Sequence, residues 1–264
     1  MVSPFAGGVL DVTRIVSREN PLLKELRKLA SDTTAYRKQG RVWLEGDHLC
    51  RAALARGFKP VLGVFAESYW PEVPADFARA AVKSVTVSDR LFKEISGLES
   101  PAKLGFLIEL PSQPELQTEA HTVILDRVQD AGNVGSILRS AAAFGVRQVL
   151  ALKGTAALWS PKVLRAGMGA HFALQMVEGL DLIDLDPLKL PLVMTSSHQG
   201  ELLQNQKLPF PCAWVMGHEG QGVSGSLMKR ASIAVRIGQP GGEESLNVAA
   251  AAAICLHASS VAGF

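Results

Sequence analysis

The stretch from Thr122 to Leu152, "TVILDRVQDAGNVGSILRSAAAFGVRQVLAL", decides the fold. It opens on the apolar run "TVILD", closes on a second run, "RQVLAL", and between them apolar residues return at helical spacing. A strand, a loop, a helix and a strand in that order make a parallel pair, because strands joined through a helix do not fold back as a hairpin. The loop "RVQDAGN" leaves the carboxyl end of the first strand, where parallel sheets bind ligands.

Outward from this unit the pattern repeats. Downstream, "LPLVMTS", "CAWVMG" and "IAVRI" are apolar, largely β-branched runs with helical segments between several of them, so residues 122–264 read as an α/β domain with a parallel sheet covered on both faces. Upstream, "PSQPELQTEAH" at 111–121 replaces the pattern with prolines and polar residues and reads as a linker. Residues 13–110 read as a small αβ domain. There "NPLLKELRKLA" offers Asn20 as an N-cap and Pro21 at the first helical position, and "VWLEG", "VLGVFAE", "SVTVS" and "LGFLIEL" are short strands.

Composition narrows the class. With 47% apolar residues in 264, the chain buries a large core or two modest ones and is not disordered. Cys50, Cys212 and Cys255 are an odd number and far apart, in no C-x-x-C spacing, which argues against a disulfide framework or a structural zinc site and fits a reducing cytoplasm. The start, "MVSPFAGGVLDV", lacks a basic segment ahead of an apolar core, and the run "VAAAAAICL" is too short to span a bilayer, so no membrane partner is expected. The overall charge is only +2, but residues 13–60 carry eleven Lys or Arg against five Asp or Glu. That local excess is suited to phosphates, or simply decorates solvated helix faces.

Three loops leaving strand ends concentrate the chemistry: "RVQDAGNVGSILRSAAAFGV", "MGHEGQGVSG" and "GQPGGEESLNVAAAAA". Within the second, "GQGVSG" matches G-x-G-x-x-G, yet only a short helical segment follows, the next strand ends "VRIG" without an acid, and no second mononucleotide half remains. A dinucleotide fold is therefore rejected. His171, His198 and His218 have no ligand spacing, so no metal is expected, and no G-x-S-x-G elbow is present.

Together "DAGNVGSILRSAAAFG", "VMGHEGQGVS" and "IGQPGGEESLNVAAAAA" resemble, in order and spacing, the three motifs of the SpoU/TrmH-type methyltransferases of the SPOUT superfamily. "SPKVLRAGMGAHFAL" is similar to the segment those enzymes carry between the first two motifs, and "RKQGRVWLEGDHLCRAAL" to the small L30e-like RNA-binding domain that precedes the catalytic domain in many of them. The resemblance implies a parallel sheet with a C-terminal trefoil knot and an obligate homodimer. It implies methyl transfer from S-adenosylmethionine to a ribose 2′-hydroxyl of RNA. Ribosomal RNA is favoured over transfer RNA because the L30e-like domain typifies the ribosomal enzymes. Two departures stand out: Ala131 replaces the usual proline, and His218 replaces a frequent asparagine.

The resemblance carries roles onto residues. Arg139, Asn133, Glu219, Ser245 and Asn247 become candidates for catalysis, and Gly217, Ile237 and Leu246 for cofactor contact, while Thr195 in "VMTSS" joins the cofactor residues because that strand end should form a further pocket wall. A ribose hydroxyl is a poor nucleophile, and because a guanidinium is not readily deprotonated, Arg139 suits stabilisation of the developing oxygen charge. On plainer readings Arg139 is a surface cation, and Asn133 and Ser245 are N-caps. Lys24, Arg27, Lys28, Arg37, Lys38 and Arg41 are the expected RNA phosphate contacts. Base methylation, or an inactive RNA-binding protein of the same fold, are the competing functions.

Overall fold

The computed structural model describes residues 12–196, 200–241 and 245–262. Met1 to Asp11, Ser197, His198 and the glutamates of the "GGEES" stretch lie outside the described residues. Two compact units emerge: Met1–Pro111 with Trp159–Arg165, and Ser112–Leu158 with Ala166–Phe264.

The first unit contains strands β1 (Val12–Ile15), β2 (Arg41–Glu45), β3 (Leu62–Ala66), β4 (Lys83–Val87) and β5 (Leu104–Glu109) in the order β1-β4-β3-β5-β2. β1, β4 and β3 run parallel, whereas β5 lies antiparallel to both β3 and β2. Helices α1 (Pro21–Ser31), α2 (Ala35–Gln39), α3 (Asp47–Ala55), α4 (Ala75–Ala80) and α5 (Asp89–Ile95) fill the connections. α1 begins as its sequence dictates: Asn20 Oδ1 accepts the N–H of Leu22 at 2.9 Å, Pro21 needs no partner for a missing N–H, and Leu23, Leu26 and Leu29 form the buried stripe.

The second unit is built on β6 (Thr122–Asp126), β7 (Gln148–Leu152), β8 (Gln175–Leu180), β9 (Leu192–Thr195), β10 (Glu201–Leu202), β11 (Ala213–Gly217) and β12 (Ile233–Arg236). Every pairing is parallel, in the order β10-β12-β9-β11-β6-β7-β8. All five residues of β6, β7 and β11 are buried, which explains why these strands read as unbroken apolar runs without alternation. One face carries a core of Ile124, Leu150, Val177, Leu192, Val215 and Leu227. α6 (Ala131–Ala143) and α9 (Val248–Ala262) pack together, and Ser259 of α9 accepts the indole N–H of Trp214 from β11 at 3.1 Å. α7 (Pro161–Gly167) and α8 (Gly225–Met228) are short. α8, only four residues long, could not serve as the helix of a dinucleotide fingerprint.

Residues 112–121 hold no regular element but are fixed to the second unit by glutamines. Gln117 donates its N–H to Gln148 Oε1 and its amide to Gln175 Oε1, both at 2.7 Å, and Gln175 donates in turn to the carbonyl of Glu115 at 2.6 Å.

Candidate active site

Strand order places the site. From β6 the chain moves outward through β7 and β8, then returns to the other side with β9, so the order reverses beside β6 and β11. The register sets Gly217 opposite Asp126, so both strands end level. Beyond the carboxyl ends of β9, β11 and β12 opens a cavity of about 560 Å³, within the size range of small-molecule sites. Thr195, Gly217, Ile237 and Leu246, the four expected cofactor residues, all line it, as do Glu219 and Ser245.

The loop after β11 forms one wall and doubles back on itself. His218 and Gly222 exchange two backbone hydrogen bonds at 3.0 and 2.8 Å, and His218 Nδ1 accepts the N–H groups of Gly220 and Gln221 at 3.0 and 3.2 Å. Gly222 takes φ +68°, and a Cβ on Gly217 would stand 2.3 Å from the carbonyl carbon of Gly222. Only glycine fits at Gly217, and glycine relieves the left-handed turn at Gly222.

Glu219 leaves this loop toward the start of α6. Its carboxylate accepts the N–H of Gln129 at 3.2 Å, the N–H of Asp130 at 3.0 Å and the side-chain amide of Asn133 at 3.2 Å. Burial pushes its pKa up, but the hydrogen bonds from Asp130, its own N–H, Asn133 and Gln129 outweigh this and hold it below the ordinary carboxylate value. Glu219 is therefore anionic at neutral pH. Asn133 Oδ1 accepts from Asn247 Nδ2 at 3.0 Å, while Asn247 Oδ1 caps α9 by accepting from Ala249 and Ala250 at 2.9 and 3.3 Å. Each amide is thereby oriented, and three distant motifs join in one chain: Glu219, Asn133, Asn247.

The plainer readings of two residues change. Asp130, not Asn133, caps α6, accepting the N–H of Asn133 at 2.8 Å. Ser245 does not cap α9, since Asn247 does. Arg139 is not among the cavity-lining residues. It stands exposed on α6, and 139 − 133 = 6 residues at 100° each turn it well away from the face that carries Asn133. Sequence reasoning passed over Asp130, although an aspartate three residues before a helical asparagine is the usual N-cap signal.

In the first unit the six expected phosphate contacts divide. Lys24 pairs with Glu19 at 2.7 Å, Arg27 with Glu94 at 3.3 Å, and Arg41 with Glu25 and Glu109 at 3.3 and 3.4 Å. Arg37 donates to the Tyr36 hydroxyl at 3.1 Å. Lys28 and Lys38 are exposed, and Lys28 acts electrostatically on the Asp32 carboxylate. Among those residues no group of three or more His, Cys, Asp or Glu could hold a metal, and no helix is long and apolar enough to cross a membrane.

A parallel sheet with a glycine-walled cavity at its switch point, beside a carboxylate and two oriented amides, is a ligand site of the α/β class. Comparison with known proteins places it more closely. Residues 120–257 match the model of the SpoU rRNA Methylase family, and residues 20–104 that of the MRM3-like substrate binding domain. The chain is 33% identical to an uncharacterized tRNA/rRNA methyltransferase of Synechocystis sp., over 94% of this chain and 93% of that protein. It is 30% identical to the 23S rRNA (guanosine(2553)-2′-O)-methyltransferase RlmP of Bacillus subtilis, over 92% and 98%. The AdoMet-bound rRNA methyltransferase from Sinorhizobium meliloti superposes with a TM-score of 0.80 at 26% identity, over 94% of this chain and 97% of that one. The chain belongs to the SpoU rRNA methylase family.

Proposed function

We propose that this protein transfers a methyl group from S-adenosylmethionine to the 2′-hydroxyl of a ribose in ribosomal RNA. The observation that carries the reading is the meeting of three motifs at one cavity: Thr195, Gly217, Ile237, Ser245 and Leu246 in its wall, and the hydrogen-bonded chain of Glu219, Asn133 and Asn247 beside it. The cavity suits the cofactor's chemistry. Ile237 and Leu246 offer apolar surface to an adenine, Gly217 allows close backbone approach, and the Glu219 carboxylate balances a sulfonium. When bound, S-adenosylmethionine supplies an electrophilic methyl group.

The protein's own task is to place the hydroxyl and hold the oxygen charge as it forms. Ser245 and Asn247 stand at the start of α9, whose positive dipole end favours such charge beside the N–H groups that Asn247 Oδ1 already caps. Arg139 is assigned to that oxygen, and its position favours service to a second copy of the chain. α6 and α9 lie side by side and parallel, since Asn133 meets Asn247 at one end and Phe144 meets His257, ring centroids 5.5 Å apart, at the other. On α9 Ala250, Ile254 and Val261 form an exposed apolar stripe, Ile254 42% and Val261 62% exposed, beside the His257 ring that packs on Phe144. An apolar stripe of this kind supports a homodimer through α9 that carries Arg139 to the neighbouring site.

The remaining parts of the reading follow the resemblance. The C-terminal segment is threaded as a trefoil knot. Residues 13–110 are an L30e-like RNA-binding domain, 111–121 the connection, and 122–264 the catalytic domain. In the basic segment, Lys24, Arg27, Lys28, Arg37, Lys38 and Arg41 meet phosphates, and Lys24 exchanges its Glu19 partner for one readily, since exposed ion pairs are weak. Three buried free cysteines fit a cytoplasmic location.

The test is incubation with ribosomal RNA and methyl-labelled cofactor, followed by nucleoside mass spectrometry. The added mass is expected on the sugar, with one dinucleotide resisting alkali because its 2′-oxygen no longer attacks the phosphate. Label on a base would favour base methylation, and no label with bound cofactor would favour the inactive RNA-binding protein.

A further inference from the structure

Arg127, the first residue beyond β6, holds φ +60°, a left-handed conformation that disfavours any side chain with a Cβ. Its neighbours enforce the strain. Its N–H donates to Thr155 Oγ1 at 3.2 Å, and that hydroxyl donates to the carbonyl of Leu125 at 3.0 Å. The guanidinium is thereby aimed sideways: Nε donates to Asp126 Oδ1 and Nη1 to Gln221 Oε1, both at 3.0 Å. Asp126, only 1% exposed, turns its other oxygen to the N–H of Ser224 at 2.6 Å.

The cavity-walling loop 218–224 is thus gripped at Gln221 and at Ser224 from a single point on β6. The Ser224 carbonyl also accepts the N–H of Met228 in α8 at 2.9 Å, and the other hydrogen bonds named here are of two kinds. Those between His218, Gly220, Gln221 and Gly222 fold the loop on itself without fixing its place, and those of Glu219 tie it to the start of α6. Backbone strain that persists at the edge of a site, held by specific partners, points to function there.

We propose that Arg127 is a positioning residue for the methyl donor. Its left-handed backbone directs the fork of the guanidinium so that Asp126 and Gln221 are engaged together, and this sets the loop 218–224 in the form that receives the cofactor. The proposal rests on the reading of the cavity as the S-adenosylmethionine site. A lysine cannot replace the fork, because a single ammonium on a flexible stem does not span both acceptors in a fixed plane.

The experiment is calorimetric titration with S-adenosylhomocysteine, alongside thermal melting, for the wild type, Arg127→Lys, Gln221→Leu and the double variant. Each single variant is expected to weaken binding about fivefold or more with little change in melting temperature, and the double variant to be no weaker than the poorer single one, as for partners in one linkage. Wild-type affinity in Arg127→Lys would overturn the proposal. So would wild-type affinity in Gln221→Leu, which lies on an exposed loop and does not endanger the fold. Losses that simply multiply in the double variant would show that the two residues act separately and would also overturn it. Failure of the wild type to bind S-adenosylhomocysteine would instead remove the cofactor reading, and the proposal with it.

Discussion

Asn247 does two jobs with one amide: its oxygen caps α9 and its nitrogen donates to Asn133. The two can be separated by substitution. Serine caps a helix nearly as well as asparagine, so Asn247→Ser should keep the melting temperature while losing the donor to Asn133. Alanine loses both and should cost about 1 kcal/mol of stability. With Asn133 no longer held between Asn247 and Glu219, methyl transfer by Asn247→Ser should fall by about tenfold or more, on the scale of lost oriented donors. Single-turnover rates against melting curves would show it, and a serine variant as fast as wild type would reduce the contact to packing.

At this scale the sequence was only partly legible. The motifs pointed to Thr195, Gly217, Glu219, Ile237, Ser245 and Leu246, which line one cavity, but also to Arg139, Asn133 and Asn247, which do not line it. The division of labour was not legible. Asn133 and Asp130 are both good caps by type, and only the fold shows that Glu219 claims the asparagine side chain. Arg127 left no trace at all, since nothing in the letters marks a non-glycine residue for φ +60°.

Among the elements, the strands legible in advance were those buried on both sides, such as "TVILD" and "CAWVMG". β8 escaped because "QMVEGL" is only partly buried and is broken by Gly179, and β1 because two of its four residues are exposed. The turn between α7 and β8 supplies a prediction. His171 is buried beneath it with Nε2 2.9 Å from the carbonyl oxygen of Leu158, and Gly167 leaves room for the ring, since a Cβ there would lie 2.7 Å from Cε1. Burial drives the imidazole down from 6.5 to about 4, against the hydrogen bond to Leu158. The unfolded chain therefore takes up a proton near the ordinary value while the folded one refuses it until about 4. Stability should be complete above that window and fall by up to about 3 kcal/mol as pH drops through it. Urea unfolding at pH 7.5 and pH 5 measures the effect, and His171→Gln should flatten the slope. His121, also held low by burial, adds in the same direction and should leave a residual slope. An unchanged wild-type midpoint between the two pH values would contradict the assignment.

For the whole molecule, the decisive question is which chain Arg139 serves. If the exposed stripe of α9 pairs two copies, an Arg139→Ala chain has an intact cavity but no cation, and an Asn247→Ser chain has the reverse defect. Alone, the Arg139→Ala chain should be nearly inactive and the Asn247→Ser chain about tenfold or more below wild type. Co-expressed, random pairing yields mixed dimers with one complete site, so activity should return to about a quarter of wild type. A dimer by light scattering with no recovery would mean that Arg139 acts within its own chain, and a monomer would remove the dimer. The proposed dimer and knot rest on the resemblance, since either would depend on how finished surfaces and loops meet and no stretch of sequence displays it by its own chemistry.

The hydrogen bond between Asn133 and Asn247 spans 114 residues, and that between Asn133 and Glu219 spans 86. At synthesis rates of about 5–20 residues per second, the first partner waits roughly ten seconds for the last. Through that interval a ribosome-bound chain has its donor-binding strands in sequence but no finished centre, and the many non-local pairings of a parallel sheet slow the closing step further. The centre is therefore completed in one late step of folding, when Asn247 reaches Asn133.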